Sequence, residues 1–334
     1  MPSRTDPVRS RGLSSGMSSA ILGHTPFPTL RPGDTVALVA PAGPVASSDI
    51  EASRDFVEQR GYRCRVSANC SMAHGHLAGT DAQRREDLEA AFRDPQVRAI
   101  FCLRGGYGSA RLLPRLHRGL LLLHPKPLIG YSDITALHAW LGNQGMVGFH
   151  APMLASDLLQ ADRGAEADAL FSLLADGLRE GHIIDGGTGE PNSLHLSGQA
   201  SGRLVGGNLS VFASLLGTPW QVRADNSVLF LEDVGEPPYR VDRLLWQLRE
   251  AGVLAAARGF VLGSFSGAGD CTAVLAEMLM PLGKPIVSGW PAGHGAPHFA
   301  LPLGARVLLD TDLRELRLLQ DVMLPQHERL DLTL

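Results

Sequence analysis

A serine at position 132 stands where a buried strand should end and a helix should begin. The short apolar run 127–129 stops at Gly130, and a helical pattern starts directly after Ser132. At such a junction the unpaired N–H groups and the positive end of the helix dipole favour developing negative charge, which a nucleophilic serine requires. The same residue would also serve as a helix N-cap, with Asp133 as a first-turn acid. This stretch alone therefore predicts either a nucleophile or a cap.

A nucleophilic serine needs a histidine base within hydrogen-bond reach. Among the 12 histidines, His294 is distinctive because it lies between Gly293 and Gly295, after a predicted strand end. A histidine flanked by glycines is an unusual core residue and suits an accessible loop. His150, at the end of the strand that follows the Ser132 helix, is a second candidate. The alternative for His294 is an exposed loop histidine without a catalytic role.

The acid that would orient the base has three candidates. Glu232 and Asp233 end one predicted strand, 227–233, and Glu236 follows in the next turn. Adjacent residues of a strand point to opposite faces, so only one of the first two can face a given cleft. Either of them would also suit the cap of the next helix. The pattern does not choose among the three.

A glycine-rich turn, R-G-G-Y-G-S over 104–109, follows the predicted strand 97–103. Glycines at a strand end let backbone N–H groups approach a ligand closely. Gly105 and Gly106 are therefore interpreted as a phosphate cradle, as half of an oxyanion hole, or as a tight turn only. In a parallel sheet this turn emerges at the same edge as the Ser132 turn, where open α/β sheets form their sites. Arg104 is placed to bind a carboxylate there.

These segments predict an α/β fold with two domains. The chain has 334 residues, 44% of them apolar, and predicted strands alternate with predicted helices, which is enough chain for two cores. We predict a disordered leader over 1–28, an N-terminal domain with the serine over 29–165, a linker region over 166–198, and a C-terminal domain with the acid and base candidates over 199–334.

Composition and spacing argue against several other classes. The net charge is −4 with no long basic block, which argues against nucleic acid, and no apolar run reaches the roughly 18 residues of a membrane span. The four cysteines lack C-x-x-C spacing, and nothing in their positions indicates a disulfide framework, which agrees with a reducing compartment. The loop P-A-G-P over 41–44 lacks the G-x-G-x-x-G of dinucleotide sites, and His74 and His76 lack neighbouring metal ligands. We therefore expect no cofactor and no metal.

Five motifs occur in a fixed order along the chain. They are R-G-G-Y-G at 104–108, G-Y-S-D at 130–133, G-G-N-L at 206–209, L-E-D at 231–233 with P-Y-R-V-D-R at 238–243, and G-H-G at 293–295 with L-P-L-G at 301–304. With them the chain resembles the L,D-carboxypeptidases, the muramoyl-tetrapeptide carboxypeptidase family of serine peptidases, over about residues 30–320. The resemblance implies that Ser132 is the nucleophile, Glu232 the acid and His294 the base. It also implies a cleft site between an N-terminal Rossmann-like parallel-sheet domain and a smaller C-terminal α/β domain.

The resemblance further implies a reaction and a setting. The expected reaction is hydrolysis of the L,D amide bond that releases terminal D-alanine from murein tetrapeptides in cell-wall recycling, by a cytoplasmic, metal-free homodimer. The backbone N–H groups of Gly105, Gly106 and Asp133 are expected to form the oxyanion hole. Arg104 and Arg240 are the candidates for binding the terminal carboxylate of the substrate.

Three alternatives remain beside this hypothesis. An immunity-type peptidase of the same family would cleave a peptide–nucleotide antibiotic, and an aromatic platform for the base, such as Trp220 or Trp290, would favour it. An esterase is disfavoured because G-Y-S-D-I lacks the closing glycine of G-x-S-x-G. A non-catalytic protein would use the two turns to bind phosphate or a nucleotide.

Overall fold

A computed structural model describes residues 24–187 and 194–329. The fold is built on two large β-sheets with helices packed against them. The strands are β1 (Phe27–Pro28), β2 (Thr35–Val39), β3 (Arg63–Val66), β4 (Val97–Cys102), β5 (Leu128–Gly130), β6 (Gly148–His150), β7 (Ile183–Asp185), β8 (Gln199–Asn208), β9 (Ser227–Val234), β10 (Gly259–Ser266), β11 (Ile286–Val287), β12 (Leu301–Leu303), β13 (Arg306–Asp310), β14 (Glu315–Leu318) and β15 (Met323–Leu324). The α-helices are α1 (Ser47–Gln59), α2 (Asp81–Arg93), α3 (Arg118–Leu123), α4 (Thr135–Gly142), α5 (Gly164–Asp176), α6 (Leu209–Ser214), α7 (Pro238–Glu250), α8 (Val253–Ala256), α9 (Thr272–Leu279) and α10 (Gln326–Arg329). Short 3-10 helices lie at Ser109–Arg115, Ser132–Ile134 and Met280–Leu282, and a π-helical turn lies at Leu154–Leu158.

The N-terminal sheet has six strands in the order β12-β6-β5-β4-β2-β3. Every neighbouring pair is parallel except β12 with β6. The interior strand β2 is buried along its whole length, as expected of a parallel strand covered on both faces. Since β4 and β5 are parallel neighbours, the two turns that follow them leave the sheet side by side. This confirms the predicted α/β class and the shared edge of the two turns.

The second sheet has seven strands in the order β11-β10-β9-β8-β13-β14-β7. Its β8–β9–β10–β11 half is parallel, whereas β13, β14 and β7 pair antiparallel. Near the end of the described chain, β13 and β14 form an antiparallel hairpin. The parallel half matters for the site because β9 lies between β8 and β10 and ends in the two acidic residues.

The predicted leader is partly wrong. Residues 1–23 lie outside the described residues, but residues 24–28 belong to the fold. Phe27 is buried, and β1 pairs with β15 in parallel. One large apolar side chain and a partner strand from the far end of the chain hold this segment, and a two-residue strand leaves no period that a sequence pattern could reveal.

The predicted linker and C-terminal boundaries also differ from the structure. The helix α5 and the edge strand β7 occupy much of the predicted linker region 166–198, of which 188–193 lie outside the described residues. The strand β12, predicted to belong to the C-terminal domain, crosses over and pairs with β6, with Leu301 opposite His150. The chain thus passes between the two sheets more than once. The sequence of a three-residue strand is too short to indicate which sheet the strand will join.

The two sheets meet where α4 packs on β8. The backbone N–H of Asn208 donates to the Thr135 hydroxyl oxygen at 3.0 Å, and Thr135 is fully buried. A Cβ at Gly207 would come within 2.5 Å of that hydroxyl, so only glycine permits this close approach. The contact anchors the start of α4, just after Ser132, to the strand beside β9.

Among the described residues, no helix combines the length and the apolar character needed to cross a membrane.

Candidate active site

Ser132 occupies the sharp turn between β5 and α4. Its backbone φ is +63°, in the left-handed region that residues with a side chain seldom adopt. Strain of this kind costs on the order of 1–3 kcal/mol and persists where the surrounding structure enforces it, commonly at functional sites. No side-chain cap bond occurs at the Ser132–Ile134 turn or at the start of α4, so the N-cap alternative is wrong for Ser132.

The Ser132 hydroxyl, the His294 ring and the Glu232 carboxylate form one chain of hydrogen bonds. The distance from Ser132 Oγ to His294 Nε2 is 3.1 Å, and that from His294 Nδ1 to Glu232 Oε2 is 2.7 Å. A carboxylate only accepts, so Nδ1 carries the ring proton and Nε2 is left to accept from the serine hydroxyl. The backbone N–H of His294 also donates to Glu232 Oε2 at 3.1 Å. Ser132 comes from the turn after β5, Glu232 from β9, and His294 from the loop after β11.

Burial and charge tune the histidine of this chain. The Glu232 side chain is 0% exposed and that of His294 16% exposed. Burial by itself lowers the pKa of His294, but the hydrogen bond and the negative charge of Glu232 outweigh it and raise the pKa above its ordinary value. A base with this environment takes up a proton readily when one is offered by a neighbouring hydroxyl.

Strand alternation separates the two acids at the end of β9. Glu232 faces His294, and a Cβ at Gly293 would lie 2.6 Å from Glu232 Oε2, so the loop can pass this close only as glycine. Asp233 points the other way and accepts hydrogen bonds from Asn208 Nδ2 at 2.9 Å and from the Ser210 hydroxyl at 2.7 Å. It fixes the start of α6. The third candidate, Glu236, pairs instead with Arg240 at 3.4 Å.

The glycine-rich turn after β4 lies against the serine. A Cβ at Gly105 would fall 2.8 Å from Ser132 Cβ and 2.9 Å from Ser132 Oγ. Within the described ranges, no hydrogen bond uses the backbone N–H of Gly105 or of Gly106. Asp133 N lies 3.6 Å from the same position at Gly105. The turn therefore passes within contact distance of the serine side chain, and the backbone N–H groups of Gly105 and Gly106 make no hydrogen bond among the described residues.

The two arginine candidates have different positions. Arg104 is exposed at the start of this turn, next to Gly105, and donates to the Pro44 carbonyl at 3.2 Å. Arg240 lies on the exposed side of α7, and no contact among the described residues links it to Ser132 or His294.

The second base candidate, His150, makes no hydrogen bond with the serine hydroxyl, and neither does the nearby His298. His150 and His298 are fully buried, and their ring nitrogens have no hydrogen-bond partner among the residues that the structure describes. Their rings lie behind His294, in contact with Tyr131. Tyr131 in turn donates to Asp157 at 2.9 Å. Sequence reasoning missed Tyr131 and Asp157, because Asp157 lies in a segment without a motif and only the fold brings it to the site.

No group of three or more histidine, cysteine or acidic side chains is placed to hold a metal ion in the described part of the chain. The arrangement that is present can transfer a proton from a serine to a histidine whose second nitrogen is fixed by a carboxylate. With backbone donors beside the serine, this is the chemistry of acyl transfer.

Known proteins share both halves of this structure. Residues 36–151 match the LD-carboxypeptidase N-terminal domain, and residues 201–309 match the LD-carboxypeptidase C-terminal domain. The chain belongs to the LD-carboxypeptidase family. The motifs that carried the resemblance lie in or next to these two matched segments, so the predicted family is confirmed.

Relatives in this family are similar over most of their length. The probable murein peptide carboxypeptidase of Bacillus subtilis is 35% identical over 84% of this chain and 90% of the relative. The murein tetrapeptide carboxypeptidase of Pseudomonas aeruginosa is 36% identical over 82% of this chain and 92% of the relative. The crystal structure of muramoyltetrapeptide carboxypeptidase from Oxalobacter formigenes superposes with a TM-score of 0.77 at 30% identity, over 87% of this chain and all of that one, 100%.

The fold of this LD-carboxypeptidase family member is also that of the microcin C7 self-immunity protein MccF. The MccF complex with glutamyl sulfamoyl guanosine superposes with a TM-score of 0.81 over 90% of this chain and 100% of that chain, at 21% identity. An identity this low shows a shared fold and no more. The two tryptophans considered as a base platform do not favour an immunity function. Trp290 is buried against Gly186, and Trp220 lines a cleft with Trp140 and Asn143 at the far end of α4 from Ser132.

Proposed function

We propose that this LD-carboxypeptidase family member is a serine carboxypeptidase that hydrolyses the L,D amide bond of murein tetrapeptides and releases terminal D-alanine. The observation that carries the proposal is the hydrogen-bonded chain of Ser132, His294 and Glu232, assembled from both sheets. The two relatives named for murein peptides support the substrate class, since each is matched over most of its length.

In the proposed reaction, Ser132 Oγ attacks the carbonyl carbon of the amide that joins the diamino acid to D-alanine. Its proton passes to His294 Nε2, while Nδ1–H stays bonded to Glu232. His294 then gives that proton to the D-alanine nitrogen as the C–N bond breaks, which leaves an ester on Ser132. A water molecule, deprotonated by His294, hydrolyses the ester and restores the serine.

The oxyanion of the tetrahedral intermediate is proposed to lie against the backbone N–H groups of Gly105 or Gly106 and of Asp133. Their position beside Ser132 supports this assignment. Losing one such donor costs on the order of 10²–10³ in rate in enzymes of this kind. The positive end of the short helical turn Ser132–Ile134, continued by α4, adds to the stabilisation.

The terminal carboxylate of the substrate is proposed to bind Arg104 rather than Arg240. Arg104 is exposed and adjoins Gly105, so a carboxylate on the leaving residue would be near it when the scissile carbonyl is at Ser132. A guanidinium group binds a carboxylate through two parallel hydrogen bonds. Arg240, on α7, forms an ion pair with Glu236 and is the weaker candidate for binding the carboxylate.

The setting proposed for the enzyme is a cytoplasmic homodimer that needs no metal. The four cysteines are all free thiols, which supports a reducing compartment. Cell fractionation tests the location, and light scattering of the purified chain tests the dimer.

Three peptides and a chelator test the proposal. The purified full chain is incubated with a murein tetrapeptide, with the same peptide ending in L-alanine, and with a pentapeptide ending in D-alanyl-D-alanine, each with and without EDTA. We expect free D-alanine from the tetrapeptide alone, unchanged by EDTA. No release from the tetrapeptide would refute the substrate, and release that EDTA abolishes would refute the metal-free serine mechanism.

A further inference from the structure

Tyr131, the residue directly before Ser132, lies against the ring of His294. The two ring centroids are 4.8 Å apart and the ring planes meet at 53°. Tyr131 is 5% exposed. A cation within about 6 Å of an aromatic centroid is attracted to the ring face, and the attraction is stronger away from water. His294 is uncharged before the reaction and becomes a cation only when it takes the serine proton.

Asp157 holds the Tyr131 ring in this place. The phenol donates to Asp157 Oδ1 at 2.9 Å, and the other oxygen of Asp157 accepts from the Met153 N–H at 2.9 Å and the Ser156 hydroxyl at 2.8 Å. Burial, followed by the charge of Asp157, raises the pKa of Tyr131 well above its ordinary value. The phenol therefore keeps its proton, and its bond to a carboxylate places added electron density on the ring.

Two more histidines touch the same cluster and remain neutral. His298 meets the Tyr131 ring edge-on with centroids 4.5 Å apart, and His150 lies 5.3 Å from His298. Burial lowers the pKa of His298 to about 3 and that of His150 well below its ordinary value. Of the three imidazoles around Tyr131, only His294 has a carboxylate partner for its N–H. A proton that enters this cluster therefore stays on His294.

We propose that Tyr131 is a positioning residue for His294, with its ring supporting the imidazolium that forms during acylation and with Asp157 fixing the ring. The inference rests on the proposed function. The Ser132 proton moves to His294 Nε2 and then to the leaving amine, and Tyr131 keeps its own proton throughout. The ring thus interacts more strongly with His294 in the transition state than before it, and such differential interactions raise kcat.

Charged or titratable groups other than Tyr131 interact electrostatically with His294, namely Glu232, Asp233, Asp157, His150 and His298. Arg163 lies next to His294 and donates to the carbonyl of Gly295 at 3.3 Å. Tyr131→Phe and Tyr131→Leu both lose the bond to Asp157, and only Tyr131→Leu also loses the ring. The difference between the two variants in the titration of His294 therefore reports on the aromatic ring.

The test compares Tyr131→Leu and Tyr131→Phe with the wild-type full chain. Tyr62→Phe is the matched control, because Tyr62 is a buried tyrosine that stacks on Phe171 in the N-terminal core. The measurements are kcat and KM for D-alanine release, the acid limb of the pH profile of kcat/KM, and an NMR titration of the His294 imidazole without substrate. The NMR titration does not depend on turnover, so it tests the inference even if the wild type releases no D-alanine. The absence of D-alanine release would refute only the proposed function.

We expect Tyr131→Leu to lower kcat about 5- to 30-fold with KM within about twofold, and to move both the acid limb and the His294 titration down by about one pH unit. Tyr131→Phe keeps the ring but loses the Asp157 bond, and should lower kcat about two- to tenfold with a smaller shift in the same direction. Tyr62→Phe should match the wild type. If Tyr131→Leu does not fold, the kcat and the His294 titration of Tyr131→Phe test the inference instead. An unshifted His294 titration in the folded variants, or a loss confined to KM, would overturn the inference.

Discussion

The most specific consequence of the site geometry concerns Gly105. Its backbone is not in the left-handed region, so alanine there brings no backbone strain, yet the new Cβ would stand 2.8 Å from Ser132 Cβ and 2.9 Å from Ser132 Oγ. Carbon atoms in contact prefer about 3.5–4.0 Å. One of the two turns must therefore move by about 0.7–1.2 Å.

A displacement of that size would break the alignment of the serine. Ser132 Oγ is already 3.1 Å from His294 Nε2, and Ser132 has little freedom to adjust at a φ of +63°. Misplacing a reacting group by about 1 Å costs on the order of 10²-fold in rate. We therefore expect Gly105→Ala to lower kcat for D-alanine release about 100-fold or more, while KM changes by less than about threefold.

The matched control is Gly142→Ala, at the end of α4, where an added Cβ meets nothing within 4 Å. It should keep wild-type kcat and a melting temperature at least as high. Gly105 is buried and Ser132 is half-buried, so the crowding should also lower the free energy of unfolding of Gly105→Ala relative to the control, by about 1–3 kcal/mol. Wild-type kcat in a folded Gly105→Ala would refute the placement of this turn beside the nucleophile.

Three further variants test separate parts of the site. Because Glu232 raises the pKa of His294, Glu232→Gln should move the acid limb of kcat/KM to lower pH and reduce kcat by about 10⁴, and an acid limb at the wild-type pH would contradict this. Asp233→Ala removes the acceptor that fixes α6, so urea unfolding should show a loss of about 1–3 kcal/mol. The acid limb should move down by less than in Glu232→Gln, because the charge of Asp233 raises the pKa of His294 less than Glu232 does. Arg104→Ala should raise KM about 10-fold or more with a smaller change in kcat, whereas Arg240→Ala should leave KM near the wild-type value; the reverse order would assign the carboxylate to Arg240.

The local sequence predicted the turn that carries Ser132, because that part of the site is formed by residues adjacent in the chain. The strand, sharp turn and helix around Ser132 could be predicted because the apolar run, the glycine and the helical period follow one another directly in the sequence. Residue types alone left the choice among Glu232, Asp233 and Glu236 open. The resemblance to the family implied Glu232, and in the structure it is Glu232 whose carboxylate accepts a hydrogen bond from the His294 ring.

The remaining features depend on long-range packing. The crossing of β12 to the N-terminal sheet and the pairing of β1 with β15 involve strands of three and two residues, too short to carry a period. The contact of Tyr131 with His294 joins segments that are far apart in sequence, so no local pattern marks it. Distances between such segments are set by how the two sheets dock.

The most direct test of the central claim is the rate of D-alanine release by Ser132→Ala. The full-length variant and the wild type are compared on the murein tetrapeptide at equal concentration, after thermal unfolding has shown that both are folded. We predict a fall in kcat of about 10⁴–10⁶, because the nucleophile is lost and only binding and the oxyanion donors remain. A folded Ser132→Ala that keeps more than about one per cent of wild-type kcat would contradict a serine mechanism at this site.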